Sequence, residues 1–299
     1  MITLSEEVAE ALQHGLPVVA LESTVYSNLG LPTPANEEAL NGCLAAIRAA
    51  GAVPAITAVI DGVPRAGLSA DEHPRILGEE KKVAERDLAV AVAQRWPVGA
   101  TTVSASLAIA AQAEIPVFAT GGIGGVHREV AETGDVSADL EAVARHGVAT
   151  VCAGAKSFLD LARTLQQLET LGVPVIGWQT DELPAFTART SGLPVPHRVD
   201  EMIELVAVAK VQRSFSRGML VVNPVPVHDA LDQSVHDEAL AKALVEAEEN
   251  AITGPAVTPF VLDRIARASD GRSVPANVSL VANNAALAGR LAAGLCSEE

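Results

Sequence analysis

Aromatic residues are scarce in this chain of 299 residues: five Phe, two Trp and one Tyr make up 3% of it. The core must therefore be filled by Ala, Val, Leu and Ile, which favours a parallel sheet covered by Ala-rich helices. Cysteine is nearly absent as well. Cys43, Cys152 and Cys296 are scattered without metal-ligand spacing, and so sparse and odd a set points to reduced thiols in the cytoplasm rather than to a disulfide framework. No apolar run reaches the roughly 18 uninterrupted residues of a membrane span. The start, Met1-Ile2-Thr3-Leu4-Ser5-Glu6-Glu7, lacks the basic residues of a secretory signal. Basic residues are outnumbered, with 21 Lys and Arg against 37 Asp and Glu for a net charge of -16, and the pI is about 4.8. Such a surface repels a phosphate backbone, which argues against DNA or RNA as partner. A small anionic substrate remains open to it if basic residues converge in a cleft.

What is present is apolar and regularly punctuated. Hydrophobic residues are 49% of the chain and the mean hydropathy is +0.28, values of a well-packed globule. Short apolar runs predict strands at 17–21, 53–60, 99–103, 117–120, 149–153, 173–177 and 219–223. Longer periodic stretches predict helices at 36–50, 83–94, 104–113, 137–145, 158–171, 200–217, 233–249, 259–268 and 277–293. The alternation reads as an α/β protein, a three-layer α/β/α arrangement with a mostly parallel central sheet. No linker or internal repeat divides it, so a single domain over 1–299 is the simplest organisation. Proline density rises and periodicity falls near 180–230, the mark of a smaller excursion.

Open α/β sheets take their ligands at the carboxyl ends of the strands, and polar residues stand at several such ends. Lys156 is the foremost. It closes the apolar run Val148-Ala149-Thr150-Val151-Cys152-Ala153-Gly154-Ala155. Burial there disfavours the ammonium form, and a neutral amine can form a Schiff base with a sugar carbon. The plainer reading is a lysine that snorkels to the rim or binds phosphate as a point charge. Glu22 ends Val18-Val19-Ala20-Leu21: apolar walls would raise its pKa and suit it to general acid catalysis, or it caps a helix or pairs with a base.

Thr120-Gly121-Gly122-Ile123-Gly124-Gly125-Val126-His127-Arg128 departs from the dinucleotide fingerprint. Its amides could nest a phosphate, or the run is a tight turn. Asp135-Val136-Ser137-Ala138-Asp139 sets two carboxylates four residues apart, as a divalent-ion site or as the cap of a helix. Lys81-Lys82-Val83-Ala84-Glu85-Arg86-Asp87 reads as a solvated helix start. Thr102 or Ser104 serves an anion or an N-cap, and Asn277, Asn283 and Asn284 must find partners on an Ala/Leu helix.

These segments, in this order, together with Gly99-Ala100-Thr101-Thr102-Val103, Asn223-Pro224-Val225-Pro226 and Val257-Thr258-Pro259-Phe260, span nearly the whole chain. The set resembles the pseudouridine-5'-phosphate glycosidase family, also called indigoidine synthase A-like. The resemblance implies reversible cleavage of the C–C glycosidic bond of pseudouridine 5'-phosphate to uracil and ribose 5-phosphate. On the family pattern Lys156 is the nucleophile at C1' and forms a ring-opened Schiff base, and Glu22 donates and accepts protons. Asp135 holds one manganese ion, partly through water. Ser137, Ala138 and Asp139 line the substrate; Lys82, Thr102, Val103 and His127 lie near the phosphate or ribose; Asn277 lies near the uracil or the reacting sugar. A homotrimer is the assembly the resemblance implies.

The chemistry is coherent. A C–C bond has no leaving oxygen or nitrogen to protonate, so the two-carboxylate device of ordinary glycosidases does not serve. Opening the ribose on a lysine and protonating the uracil carbon lets the base leave. Two stretches depart from the pattern: Tyr26-Ser27-Asn28-Leu29-Gly30 stands where the family has Ser-His-Gly, and Leu77-Gly78-Glu79-Glu80-Lys81-Lys82 is short. Lys82 is preferred over Lys81 because Val83 follows it and Arg86-Asp87 keeps the spacing. A Schiff-base aldolase or lyase on another phosphosugar, and a sugar-phosphate sensor without a covalent step, are the competing functions.

Overall fold

The computed structural model describes residues 2–250, 252 and 257–297; the side chains of Thr258 and Pro259, within one of the motifs above, lie outside the described residues. In chain order the elements are β1 (Thr3–Leu4), α1 (Glu6–Gln13), β2 (Val18–Leu21), α2 (Ala35–Ala49), β3 (Val53–Ile60), β4 (Val63–Ala66), α3 (His73–Leu77), β5 (Lys82–Val83), α4 (Leu88–Ala93), β6 (Val98–Thr101), α5 (Val103–Gln112) and β7 (Val117–Ala119). They continue with α6 (Val130–Thr133), α7 (Ala138–Arg145), β8 (Ala149–Cys152), α8 (Leu161–Thr170), β9 (Val175–Trp178), β10 (His197–Val199), α9 (Met202–Ser214), β11 (Met219–Val222), α10 (Gln233–Glu249), α11 (Val257–Ala268) and α12 (Ser273–Cys296).

Strands β3-β2-β7-β8-β11-β9-β10 lie side by side and all parallel. Their alternation shows two covered faces. Val18, Ala20, Phe118, Cys152, Leu220 and Val222 pack with α1, α5, α7 and α8 on one side. Val19, Leu21, Val117, Ala119, Val151 and Val221 pack with α2, α9 and α12 on the other. A parallel strand sandwiched this way is apolar at nearly every position, with Thr57 of β3 and Thr150 of β8 the buried exceptions, which is why these runs are legible as strands. Each enclosed Val, Leu or Phe contributes roughly 1.5–3 kcal/mol. Helices α2 and α12 approach closely at Gly289, where a methyl group would come within 2.7 Å of the Ala50 side chain.

The run 81–94 differs from the sequence expectation of one helix. Lys82 and Val83 pair in parallel with Ala100 and Thr101 of β6, a short helical turn follows at Glu85–Asp87, and only Leu88–Ala93 is α-helix. The Asp87 carboxylate accepts from the Ala84 amide at 3.0 Å and starts the turn afresh. Helix-favouring side chains lost to an available strand edge. Within 180–230, residues 180–196 are irregular but bury Leu183, Phe186 and Ala188 against the core, and β10, α9 and β11 are integral to the sheet and its cover. Among the described residues no helix is long and apolar enough to cross a membrane.

Candidate active site

The site is made where β2 and β6 meet. The long strand β3 carries β2 in parallel along Val53–Ile56 and β6 antiparallel along Ala58–Ile60. The two neighbours therefore run toward each other, and their carboxyl ends converge. Ser23 donates its N–H to the Thr101 carbonyl at 3.3 Å, and Thr101 returns an N–H to Ser23 Oγ at 2.8 Å. Beneath them the Thr57 hydroxyl bonds the Leu21 carbonyl at 2.9 Å and the Thr101 hydroxyl bonds the Thr57 carbonyl at 2.7 Å, with Ser106 completing a buried cluster of hydroxyls. Buried polar groups that are fully paired fix geometry. This cluster fixes the backbone of Glu22, the first residue beyond β2.

Glu22 is 7% exposed. Thr120, at the end of β7, donates its hydroxyl to Oε1. Burial pushes the carboxyl up to about 7; the Lys156 charge, the Thr120 hydrogen bond and the Lys82 charge pull it back, while Asp139 pushes it further up. A carboxyl poised there exchanges protons at neutral pH.

Lys156 is half-buried. Its backbone is placed by Ala155, which bridges to Ile123, and by its own N–H to the Ile123 carbonyl at 3.1 Å. Gly154 makes the turn that delivers it, at φ +84, with the Pro184 carbonyl oxygen only 2.3 Å from where a methyl would stand; both the backbone angle and the approach demand glycine. Lys82 and Lys81 are separated by strand alternation. The Lys81 ammonium sits 3.4 Å over the Trp96 ring, while Lys82 enters the field of Lys156, Asp139 and Glu22, where burial first and the Lys156 charge second lower its pKa. Lys82 is open to solvent as a residue; its ammonium end is the part the protein surrounds.

Asp139 is 8% exposed and ties two candidate anion sites together. Its Oδ1 accepts from the Ser104 amide at 3.0 Å, at the start of α5, and its Oδ2 accepts from the Gly124 amide at 2.9 Å. A methyl at Gly124 would strike Ser137 Oγ at 2.2 Å, so glycine is what lets the loop reach the carboxylate. The protein's own acid thus takes one amide of the glycine run and one of the helix terminus. Ser137 is the N-cap of α7, accepting the Asp139 N–H at 3.2 Å, and Ala138 begins the helix. Thr102, the residue before α5, pairs its hydroxyl with Ser104 Oγ at 3.1 Å, and Val103 is buried.

His127 and Asp135 lie at one edge, with Nε2 3.7 Å from Oδ2 and the Asp135 side chain 40% exposed. Arg128 is spent on structure, its Nε donating to the Phe158 carbonyl at 2.9 Å. Among the described residues no group of three or more His, Cys, Asp or Glu gathers as a metal cage. Asn277 is 8% exposed with Oδ1 unpartnered. It lines a cavity of about 220 Å³ with Asn28, Ser157, Phe186, Thr187 and Leu262.

Three further residues stand at the candidate site without a signal of their own in the sequence. Thr120 stood only as the first letter of the glycine run. Asn28, in the departing loop, bonds the Gly78 and Glu79 carbonyls at 3.2 Å through its side chain and backbone, so the two unusual stretches brace each other. Phe186 adopts φ +62 and had no local signal.

A family model described as indigoidine synthase A like protein matches residues 7–294. The chain belongs to the indigoidine synthase A-like family. A relative from Streptomyces griseus subsp. griseus, named pseudouridine-5'-phosphate glycosidase, is 48% identical over 294 residues, 97% of this chain and 90% of the relative. One of the same name from Caldanaerobacter subterraneus subsp. tengcongensis is 46% identical over 299 residues, 98% of this chain and 96% of its own. Among solved structures, the prealnumycin C-glycosynthase AlnA in complex with ribulose 5-phosphate superposes with a TM-score of 0.90 at 37% identity, covering 99% of this chain and 97% of that one. An indigoidine synthase A-like protein from Thermotoga maritima gives 0.88 at 32% identity, with the same coverage.

Proposed function

We propose that this family member is a pseudouridine-5'-phosphate glycosidase that works through a lysine Schiff base. The observation that carries the mechanism is the pairing of a buried carboxyl, raised to about 7, with the amine of Lys156 in one charge field. The names of the relatives and the ribulose 5-phosphate complex of a neighbour support the substrate class.

In the proposed reaction the Lys156 amine attacks C1' and the C1'–O4' bond breaks, its electrons leaving on O4', which takes up a proton. The uracil carbon is then protonated. The lysine nitrogen forms the double bond to C1' as the C1'–C5 bond breaks, and those electrons restore the uracil ring. Water hydrolyses the imine to ribose 5-phosphate and frees the amine. Glu22 supplies the protons and takes them back. Lys82, with Thr102, Val103 and His127, faces the phosphate and ribose as a point charge and wall; Ser137, Ala138 and Asp139 shape the floor. Asn277 offers an unpartnered acceptor to the uracil.

A manganese ion would be held by the exposed Asp135 carboxylate and by water. The donor set fits a largely hydrated ion rather than a dry cage. Bound there, it would supply positive charge at the mouth. A homotrimer and a cytoplasmic location belong to the same proposal, supported by the family likeness and by three free thiols.

The test is release of free uracil from pseudouridine 5'-phosphate, with manganese and with chelator. Wild type should release it, chelator should slow it, and borohydride with ribose 5-phosphate should leave a mass adduct on Lys156. No uracil, or an undiminished rate in Lys156→Ala, overturns the proposal.

A further inference from the structure

Three strand ends, those of β7, β8 and β11, and helix α12 are locked together behind Glu22 by two asparagines and the backbone bonds beside them. Asn284, fully buried on α12, donates Nδ2 to the Thr120 carbonyl at 2.9 Å and to the Gly121 carbonyl at 3.4 Å. Its Oδ1 accepts from Asn223 Nδ2, just past β11, at 3.1 Å. Asn223 is itself anchored by its N–H to the Cys152 carbonyl of β8 at 2.8 Å, and the Thr120 N–H reaches the Val151 carbonyl at 3.0 Å. Every polar atom of the Asn284 side chain that can bond is engaged, an expensive arrangement to assemble in a core unless geometry is its purpose. The chain of contacts ends on the Thr120 hydroxyl, whose single proton goes to Glu22 Oε1.

We propose that Thr120 is a positioning residue for the reaction, fixing which oxygen of Glu22 exchanges protons, and that Asn284, braced by Asn223, sets Thr120. This rests on the glycosidase reading of the same site. Because Oε1 is occupied by the threonine proton, Oε2 carries the proton given to substrate. A hydroxyl that donates to a carboxylate favours its ionised form, so Thr120 also keeps Glu22 from becoming too weak an acid. The other charged or titratable groups bearing on Glu22 are Lys156 beyond β8, Lys82 on β5, Asp139 on α7 and Tyr26 beyond β2. None of them replaces the threonine hydrogen bond.

The experiment compares wild type, Thr120→Val, Thr120→Ser and Asn284→Ala for uracil release across pH. Thr120→Val should lower kcat about 10- to 100-fold with KM within about threefold, on the scale of one misplaced proton donor. Its alkaline limb should move to higher pH, since the acid form persists longer without the hydroxyl. Thr120→Ser should restore both, and Asn284→Ala should move the limb in the same direction by less. An unchanged kcat and limb in Thr120→Val, or a loss in KM alone, overturns the proposal. If Thr120→Val does not fold, Asn284→Ala decides, because it leaves the hydroxyl in place and removes only its setting: an unmoved limb there is equally fatal. If wild type releases no uracil, the glycosidase reading fails by itself. The pH dependence of folding stability in the same variants then still reports whether Thr120 holds down the pKa of Glu22, and equal dependence in wild type and Thr120→Val overturns that link.

Discussion

Replacing Glu22 by Gln should stabilise the protein at alkaline pH while abolishing its chemistry. The carboxyl titrates near 4.5 when unfolded and at about 7 when folded, because burial outweighs the pull of Lys156, Thr120 and Lys82. Below the lower value it is neutral in both states and costs nothing. Between the two, the unfolded chain ionises first, so stability is lost as pH rises through this window. This is the reverse of a salt-bridged acid, and the full cost stands above about 7. At about 1.4 kcal/mol per pH unit, keeping the folded carboxylate ionised costs about 3 kcal/mol. Glutamine matches the neutral acid in shape and retains an acceptor for Thr120, so it removes the cost without opening a cavity. Urea denaturation of wild type and Glu22→Gln should therefore differ by under about 1 kcal/mol near pH 5 and by about 3 kcal/mol, in favour of the variant, near pH 8. A variant less stable than wild type at pH 8, or a gap that does not change with pH, would refute the electrostatic account of Glu22. Stability gained where activity is lost is the usual mark of a strained catalytic group.

Two further substitutions probe the frame. Asp139→Asn turns one acceptor into a donor and leaves either the Ser104 or the Gly124 amide unpaired; it should cost about 1–3 kcal/mol in urea denaturation and slow uracil release, and a midpoint equal to wild type would show those two bonds to be idle. Gly154→Ala forces a side chain into the left-handed region against the Pro184 oxygen. It should cost at least about 2 kcal/mol and displace Lys156, so that borohydride trapping with ribose 5-phosphate falls with it; normal trapping would place the lysine under some other control.

Much of this was readable from local pattern. Strands buried on two faces are apolar almost throughout, so β2, β8 and β11 announced themselves, and with them Glu22 and Lys156 at their ends. Ser137 was readable as a cap because its hydroxyl satisfies an amide two residues away. What escaped was set by distant partners. The run from Lys81 to Gln94 carries helix formers, yet Lys82 and Val83 became a strand because β6 offered an edge. Thr120 and Asn284 are 164 residues apart, and neither looks unusual beside its own neighbours. The phosphate nest expected of the glycine run is partly filled by Asp139, a competition between a ligand and the protein's own acid that spacing does not reveal.

The head-on approach of β2 and β6 makes the long strand between them a ruler with two sliding marks. One residue inserted in either arm would advance its tip by about 3.3 Å and turn its side chains to the opposite face. A matching deletion in the same arm would restore both gap and facing; a deletion in the other would restore the width of the gap but leave it displaced along β3, with side chains of both arms on the wrong face. The two arms that bring Glu22 and Thr102 together must therefore keep their length to the residue.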